Sequence, residues 1–194
     1  MNAISPSSLL TLEAYSKRRK EFRDRVLAHK KNRIVHVGAH MTLIFEDETT
    51  IRYQIQEMLR IEKTFDEQGI REELDAYNPL IPDGTNLKAT MMLEYEDPQE
   101  RARELARLIG IEHRVYLQVE GMDPCYAVAD EDLVRENEQK TSSVHFLRFE
   151  LAPAAIAGFR RGRRVAVGVD HPNYRTRVDP IAAEVQGSLS KDFA

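Results

Sequence analysis

Cysteine is almost missing from this 194-residue chain: Cys125 stands alone. A single thiol excludes an internal disulfide and any zinc site built on paired cysteines. Long apolar runs are missing as well. No stretch approaches the roughly 18 residues needed to span a bilayer. The opening residues, MNAISPSSLLTLEAYSKRRK, lack the charged-then-apolar order of a secretory signal. Neither sign of charge dominates, and the net charge of −4 makes no global case for nucleic acid or an acidic membrane as a partner. The familiar catalytic strings are absent: no G-x-x-x-x-G-K-[ST], no G-x-G-x-x-G, no H-E-x-x-H, no G-x-S-x-G and no C-x-x-C. E-x-x-H is absent too, which argues against a ferritin-type di-iron bundle. The expectation is a soluble cytoplasmic protein, outside the membrane and outside the recognisable enzyme classes.

What is present suffices for a folded domain. Hydrophobic residues make up 42% and charged residues 31%, enough for one core under a solvated surface. Leu12, Tyr15, Phe22 and Val26 mark one side of a helix over 12–31, while Lys17, Arg18, Arg19, Lys20, Arg23, Arg25, Lys30 and Lys31 occupy the others, a basic amphipathic pattern. Residues 34–47 alternate as a strand with Val35, Val37, Ala39, Met41, Leu43 and Phe45 on the core side. A helix follows to about Gln68, where Gly69 breaks it, and a second helical piece runs through Ile70, Leu74 and Tyr77. Alternation over 87–95, a proline-led helix after Asp97 and alternation over 115–119 describe a β-α-β unit, with a right-handed parallel crossover if its strands share a sheet. A short strand near 126–129, a polar loop over 130–143, strands over 144–151 and 164–170, a short helix from Pro153 to Phe159 and a last helix from Ile181 to about Leu189 complete the chain. The pattern predicts one α+β domain over 1–194: a mixed, mostly antiparallel sheet of about five strands, with helices packed on it and the basic 1–31 segment docked against it.

Candidate chemistry is sparse. In the second helix, Ile51, Ile55, Met58, Leu59 and Phe65 form an apolar stripe, and Glu62 falls in its middle. A buried carboxylate finds a cation or a hydrogen bond, or keeps its proton. Glu62 is therefore a candidate metal ligand or general acid/base, with an inward salt bridge to arginine as the plainer alternative. His145 shares a strand face with Leu147 and Phe149. Asp170 and His171 end a buried-looking strand, where sites tend to gather. Glu62, His145, Asp170 and His171 make the candidate acid/base or metal site. Arg160, Arg161, Arg163 and Arg164 form a basic cluster suited to phosphate or carboxylate, or to the carbonyl end of the preceding helix. His36 and His40, four residues apart on a strand, stand roughly 13 Å from each other and cannot share an ion. Cys125 is a redox candidate or an inert buried thiol. Interleaved aromatics on a sheet face, which RNA recognition favours, are not evident.

The strings AYSKRRKEFRDRVLAHKKNR, MTLIFEDETTIRYQIQEMLRIEK, ELDAYNPLIPDGTNLKATMMLE and SSVHFLRFEL resemble a bacterial family of uncharacterised proteins of about the same length, and the likeness covers nearly the whole chain. Members of that family are often encoded near rubrerythrin-like and iron–sulfur proteins. The resemblance implies an accessory or binding protein beside redox or peroxide-stress metalloproteins, without a defined cofactor. Two alternatives stay open. One is a small metal-binding protein or enzyme centred on Glu62 with His145 and His171. The other is a binder of phosphate ligands or nucleic acid through the basic helix and the 160–164 arginines. Association with further copies of the chain also stays open.

Overall fold

The computed structural model describes residues 3–129 and 140–194, so most of the loop expected over 130–143 lies outside the described residues. Helix α1 (Leu12–Lys30) begins where the Thr11 hydroxyl accepts the Ala14 N–H. It packs on α2 (Glu48–Glu62), whose N-cap is Asp47 in a capping box with Thr50. Helix α3 (Glu67–Tyr77) follows. Ile51, Ile55 and Leu59 of α2 join Leu74, Ile81 and Ile4 in an apolar cluster of their own, which this helical layer shares with the N-terminal segment.

The remainder is built on strands. β1 (Ile34–Val37), β2 (Met41–Glu46) and β3 (Asn86–Leu93) come first. Helix α4 (Pro98–Arg107) leads to β4 (Val115–Val119), then β5 (Cys125–Tyr126), β6 (Val128–Ala129) and β7 (Val144–Glu150). Helix α5 (Pro153–Arg160), β8 (Val165–His171), β9 (Tyr174–Val178) and α6 (Ala183–Leu189) follow. The strands form two antiparallel sheets, ordered β1-β2-β3-β7-β6 and β5-β4-β8-β9. Alternate residues of both feed one core: Val35, Val37, Leu43 and Phe45 with Ala89, Met91, Leu147 and Phe149 from the first, Leu117, Val119, Val167 and Val169 from the second. Leu105, Phe159, Val185 and Leu189 of α4, α5 and α6 join that core.

The fold is α+β, and it differs from the sequence reading in five places. The 34–47 segment is a hairpin, closed by Gly38, Ala39 and His40, with Gly38 at φ +76°. Because this turn holds three residues and Val37 pairs with Met41, the odd-numbered residues of both strands stay on the core side and the alternation read as one strand, but Ala39, expected on that side, is exposed in the turn. α2 ends at Glu62, not near Gln68, since Lys63 adopts the left-handed conformation at φ 56°. Gly69 lies inside α3, where its N–H is taken by the capping Asp66. β3 and β4 fall in different sheets, so no parallel crossover forms between them. The stretch after His171 turns back as β9, which pairs along β8. Tyr174 of β9 donates from Oη to the Val37 carbonyl (2.8 Å) and accepts the His40 N–H (3.0 Å), tying the far edges of the two sheets together. Among the described residues, no helix is long and apolar enough to cross a membrane.

Candidate functional site

The four residues expected to form one site have separate roles. Glu62 is exposed. Its direction on the helical wheel is the apolar one, but it is the last residue of α2, one turn beyond Leu59, and the buried stripe has ended there. Ile61 and Phe65 beside it are 60% and 80% exposed. The acid that does carry a buried, unbonded oxygen in this layer is Glu73. Burial pushes its carboxyl upward and the charge of Glu62 adds to the effect.

His145 is fully buried. Its Nε2 lies 2.8 Å from Thr141 Oγ1, 3.0 Å from the Ser142 carbonyl and 3.7 Å from Glu112 Oε2. Glu112 and Thr141 are themselves 2% and 1% exposed, so this is an interior polar network. His171 accepts the Asn173 N–H at Nδ1 and so donates from Nε2 to the Ile109 carbonyl, 3.2 Å in each case. Both ring nitrogens are used to hold the β8–β9 turn to the loop after α4, and no lone pair is left for an ion. Among the described residues, no group of three His, Cys, Asp or Glu side chains is placed to hold a metal. Cys125 donates its S–H to the Glu150 carbonyl (3.0 Å), and burial raises the thiol, the opposite of a reactive thiolate. His36 bonds to Thr42 and His40 stacks on Tyr95, so the pair shares no partner.

The arginine cluster divides. Arg160 donates to the Ala194 carbonyl. Arg161 is exposed. Arg163 reaches the Glu120 carbonyl at 3.4 Å. Arg164 turns onto the outer face of the second sheet, and there the structure assembles what the sequence did not disclose. Pairing sets Tyr126 beside Tyr116, Tyr116 beside Gly168 and Gly168 beside Arg177 in one row across four strands. Gln118 with Ala166 forms the next row, and Asp170 with Arg175 flanks the other side. Arg177 Nη1 donates to Tyr116 Oη (3.3 Å) and to Gln118 Oε1 (2.8 Å), and its Nε donates to Asp179 Oδ2 (3.0 Å). Arg164 Nε donates to Asp179 Oδ1 at 2.6 Å. Tyr126 donates to Asp170 Oδ2 at 2.6 Å, and its ring lies 5.7 Å from that of Tyr116. The hydrogen bond donated to Asp170 raises the Tyr126 phenol. Partial desolvation pushes the Asp179 carboxyl up, but Arg177 and Arg164 outweigh it and hold the group below the usual carboxylate range. A hollow of about 220 Å³ opens among Gln118, Glu120, Arg164, Arg177 and Asp179.

A second cleft, of about 450 Å³, lies where α1 and α6 meet the N-cap of α2. At its base Arg33 is 1% exposed. Its Nε and Nη2 donate to the Phe45 and Glu46 carbonyls, Nη1 to Ser188, and Nη2 also to Asp192, while Asp47 Oδ2 is an ion-pair neighbour 3.5 Å from Nη1. Four of its five donors are hydrogen-bonded. His29 Nε2 adds a 2.5 Å contact to Asp47. This cluster pins Ser188 and Asp192 to the β2–α2 junction and commits most of the buried guanidinium to protein partners.

The class these features define is a two-sheet α+β protein with a structural ionic staple and one open, polar-aromatic sheet face. The family described as "Protein of unknown function (DUF3501)" matches residues 3–193, and the chain belongs to it. A crystal structure of a novel protein of unknown function from Burkholderia pseudomallei is similar at 55% identity, with a TM-score of 0.95 and full coverage of both chains. No curated protein matches.

Proposed function

We propose that this protein is a non-enzymatic binding protein and that the outer face of the second sheet is its working surface. The observation that carries the reading is the ordered chain Arg164–Asp179–Arg177–Tyr116 laid over an open sheet face. Long surface side chains ordinarily lose freedom on binding, at roughly 0.5–1.5 kcal/mol each. Here much of that ordering precedes the partner. The commitment of His145 and His171 to interior and turn contacts supports the same reading. Metal analysis of untagged protein tests it. Sub-stoichiometric metal, unchanged in a His145→Gln variant, is expected; one equivalent per chain, lost in that variant, overturns the non-enzymatic reading.

A second reading makes the protein an accessory of a rubrerythrin-like or iron–sulfur protein. It rests on the gene neighbourhood implied by the resemblance, and the exposed Lys20, Arg23 and Arg25 of α1 favour it, since such a side suits an acidic partner. In size-exclusion chromatography at low salt, this protein and a rubrerythrin-like protein should co-elute, and Arg23→Glu should separate them. Independent elution of the two wild-type proteins rules the accessory reading out.

A further inference from the structure

We infer that the outer face of the second sheet takes single-stranded nucleic acid, with Tyr116 as the platform for a base and Arg164, Arg175 and Arg177 as phosphate contacts. This rests on the reading of that face as the working surface.

The platform is built at the level of sequence. Gly168 sits mid-strand, where glycine weakens a strand and marks close approach of another group. A Cβ there would fall 2.4 Å from Tyr116 Oη and 2.5 Å from its Cζ. The missing side chain is what lets the Tyr116 ring lie down along the sheet. Arg177 then pins the hydroxyl. The result is a flat, fixed aromatic surface on a central strand, with Tyr126 tilted beside it at 58°. Stacking on such a ring suits every base, because every base has a π-face.

The charges surround that platform. Arg114, Arg175, Arg177 and Arg164 alternate outward on or next to β4, β8 and β9, and all four are exposed. Glu120, Asp170 and Asp179 oppose them, so four guanidinium groups meet three carboxylates and the face keeps one net positive charge on a chain of net charge −4. Asp179 sits between two guanidinium groups, the place a phosphodiester oxygen would take. Four strands span about 14 Å, room for roughly two or three nucleotides. The face is open rather than enclosed, which favours a passing strand over a sequestered mononucleotide. A folded acidic protein would use the same arginines, but it gives no reason for a glycine-seated flat ring.

Fluorescence anisotropy of a labelled oligothymidylate, titrated with the whole chain, tests this. Saturable binding that weakens as salt rises is expected. Tyr116→Leu and Arg177→Ala should each weaken it about tenfold, Tyr116→Phe should retain it, and Asp179→Asn should tighten it several-fold. Circular dichroism checks that the variants fold. No saturable binding by the wild type overturns the ligand assignment. So does displacement by polyglutamate as effective as displacement by unlabelled strand of equal charge. Strand binding that survives both Tyr116→Leu and Arg177→Ala removes the face itself, so the two failures are told apart.

Discussion

Arg33 is the residue on which stability should depend most. A buried guanidinium bonded to this many groups is strongly destabilising to remove, because its buried partner Asp192 is left behind without a cation. Burial already pushes the Asp192 carboxyl upward, against the pull of Arg33. Arg33→Ala should cost about 3–5 kcal/mol in urea unfolding, and Arg33→Lys should recover little of it, since an ammonium cannot reproduce the fork. Glu57 offers a second test. The hydrogen bond from Arg19 holds its carboxyl down to about 2, with Tyr15 and Arg60 assisting against desolvation. A depressed carboxyl stabilises the fold above its unfolded value and loses that contribution as pH falls through the folded one. Thermal stability should therefore drop between about pH 4.5 and pH 2, and Glu57→Gln should remove that part of the drop. An unchanged acid profile in the variant contradicts the assignment. None of this was legible beforehand. Helical phase alone placed Glu62 inside, but phase says nothing of where along its axis a helix stops packing. Arg33 follows the basic run of α1, and nothing in the sequence around it marks it as buried.

At the scale of elements, periodicity carried most of the reading and its ambiguities carried the errors. The inward residues of β1, β2, β3, β4, β7 and β8 all follow the alternation in the sequence. The β1–β2 turn escaped notice because its three residues preserve parity. β9 was missed because Tyr174-Arg175-Thr176-Arg177-Val178 alternates with only half-buried side chains on its inner side, as edge strands do. That omission hid the site. Tyr116 and Tyr126 are ten residues apart in the sequence, and only their pairing, with β9 beyond β8, brings aromatics and arginines onto one face. The α2–α3 junction gives an element-scale test. Lys63 holds a conformation that glycine adopts without penalty, so Lys63→Gly should raise the unfolding free energy by roughly 0.5–1 kcal/mol. A destabilised variant would mean that the Lys63 side chain makes a compensating contact.

At the scale of the whole molecule, the described residues form two apolar clusters, one inside the sheets and one among α2, α3 and the N-terminal segment. Arg33 joins the first sheet to α6 and the final turn, while Tyr174 joins the two sheets at their far edge. Both devices brace the framework and leave the outer surface of the second sheet without cover among the described residues. The same architecture in a chain 55% identical shows that the frame persists through extensive substitution. The most direct measurement is a two-dimensional amide NMR titration of the whole chain with an oligothymidylate. Shifts that cluster on 115–119, 164–168 and 175–179 and move in proportion to occupancy are the expected result. Shifts centred on α1 or around Glu112 and His145, or no shifts at saturating strand, contradict it.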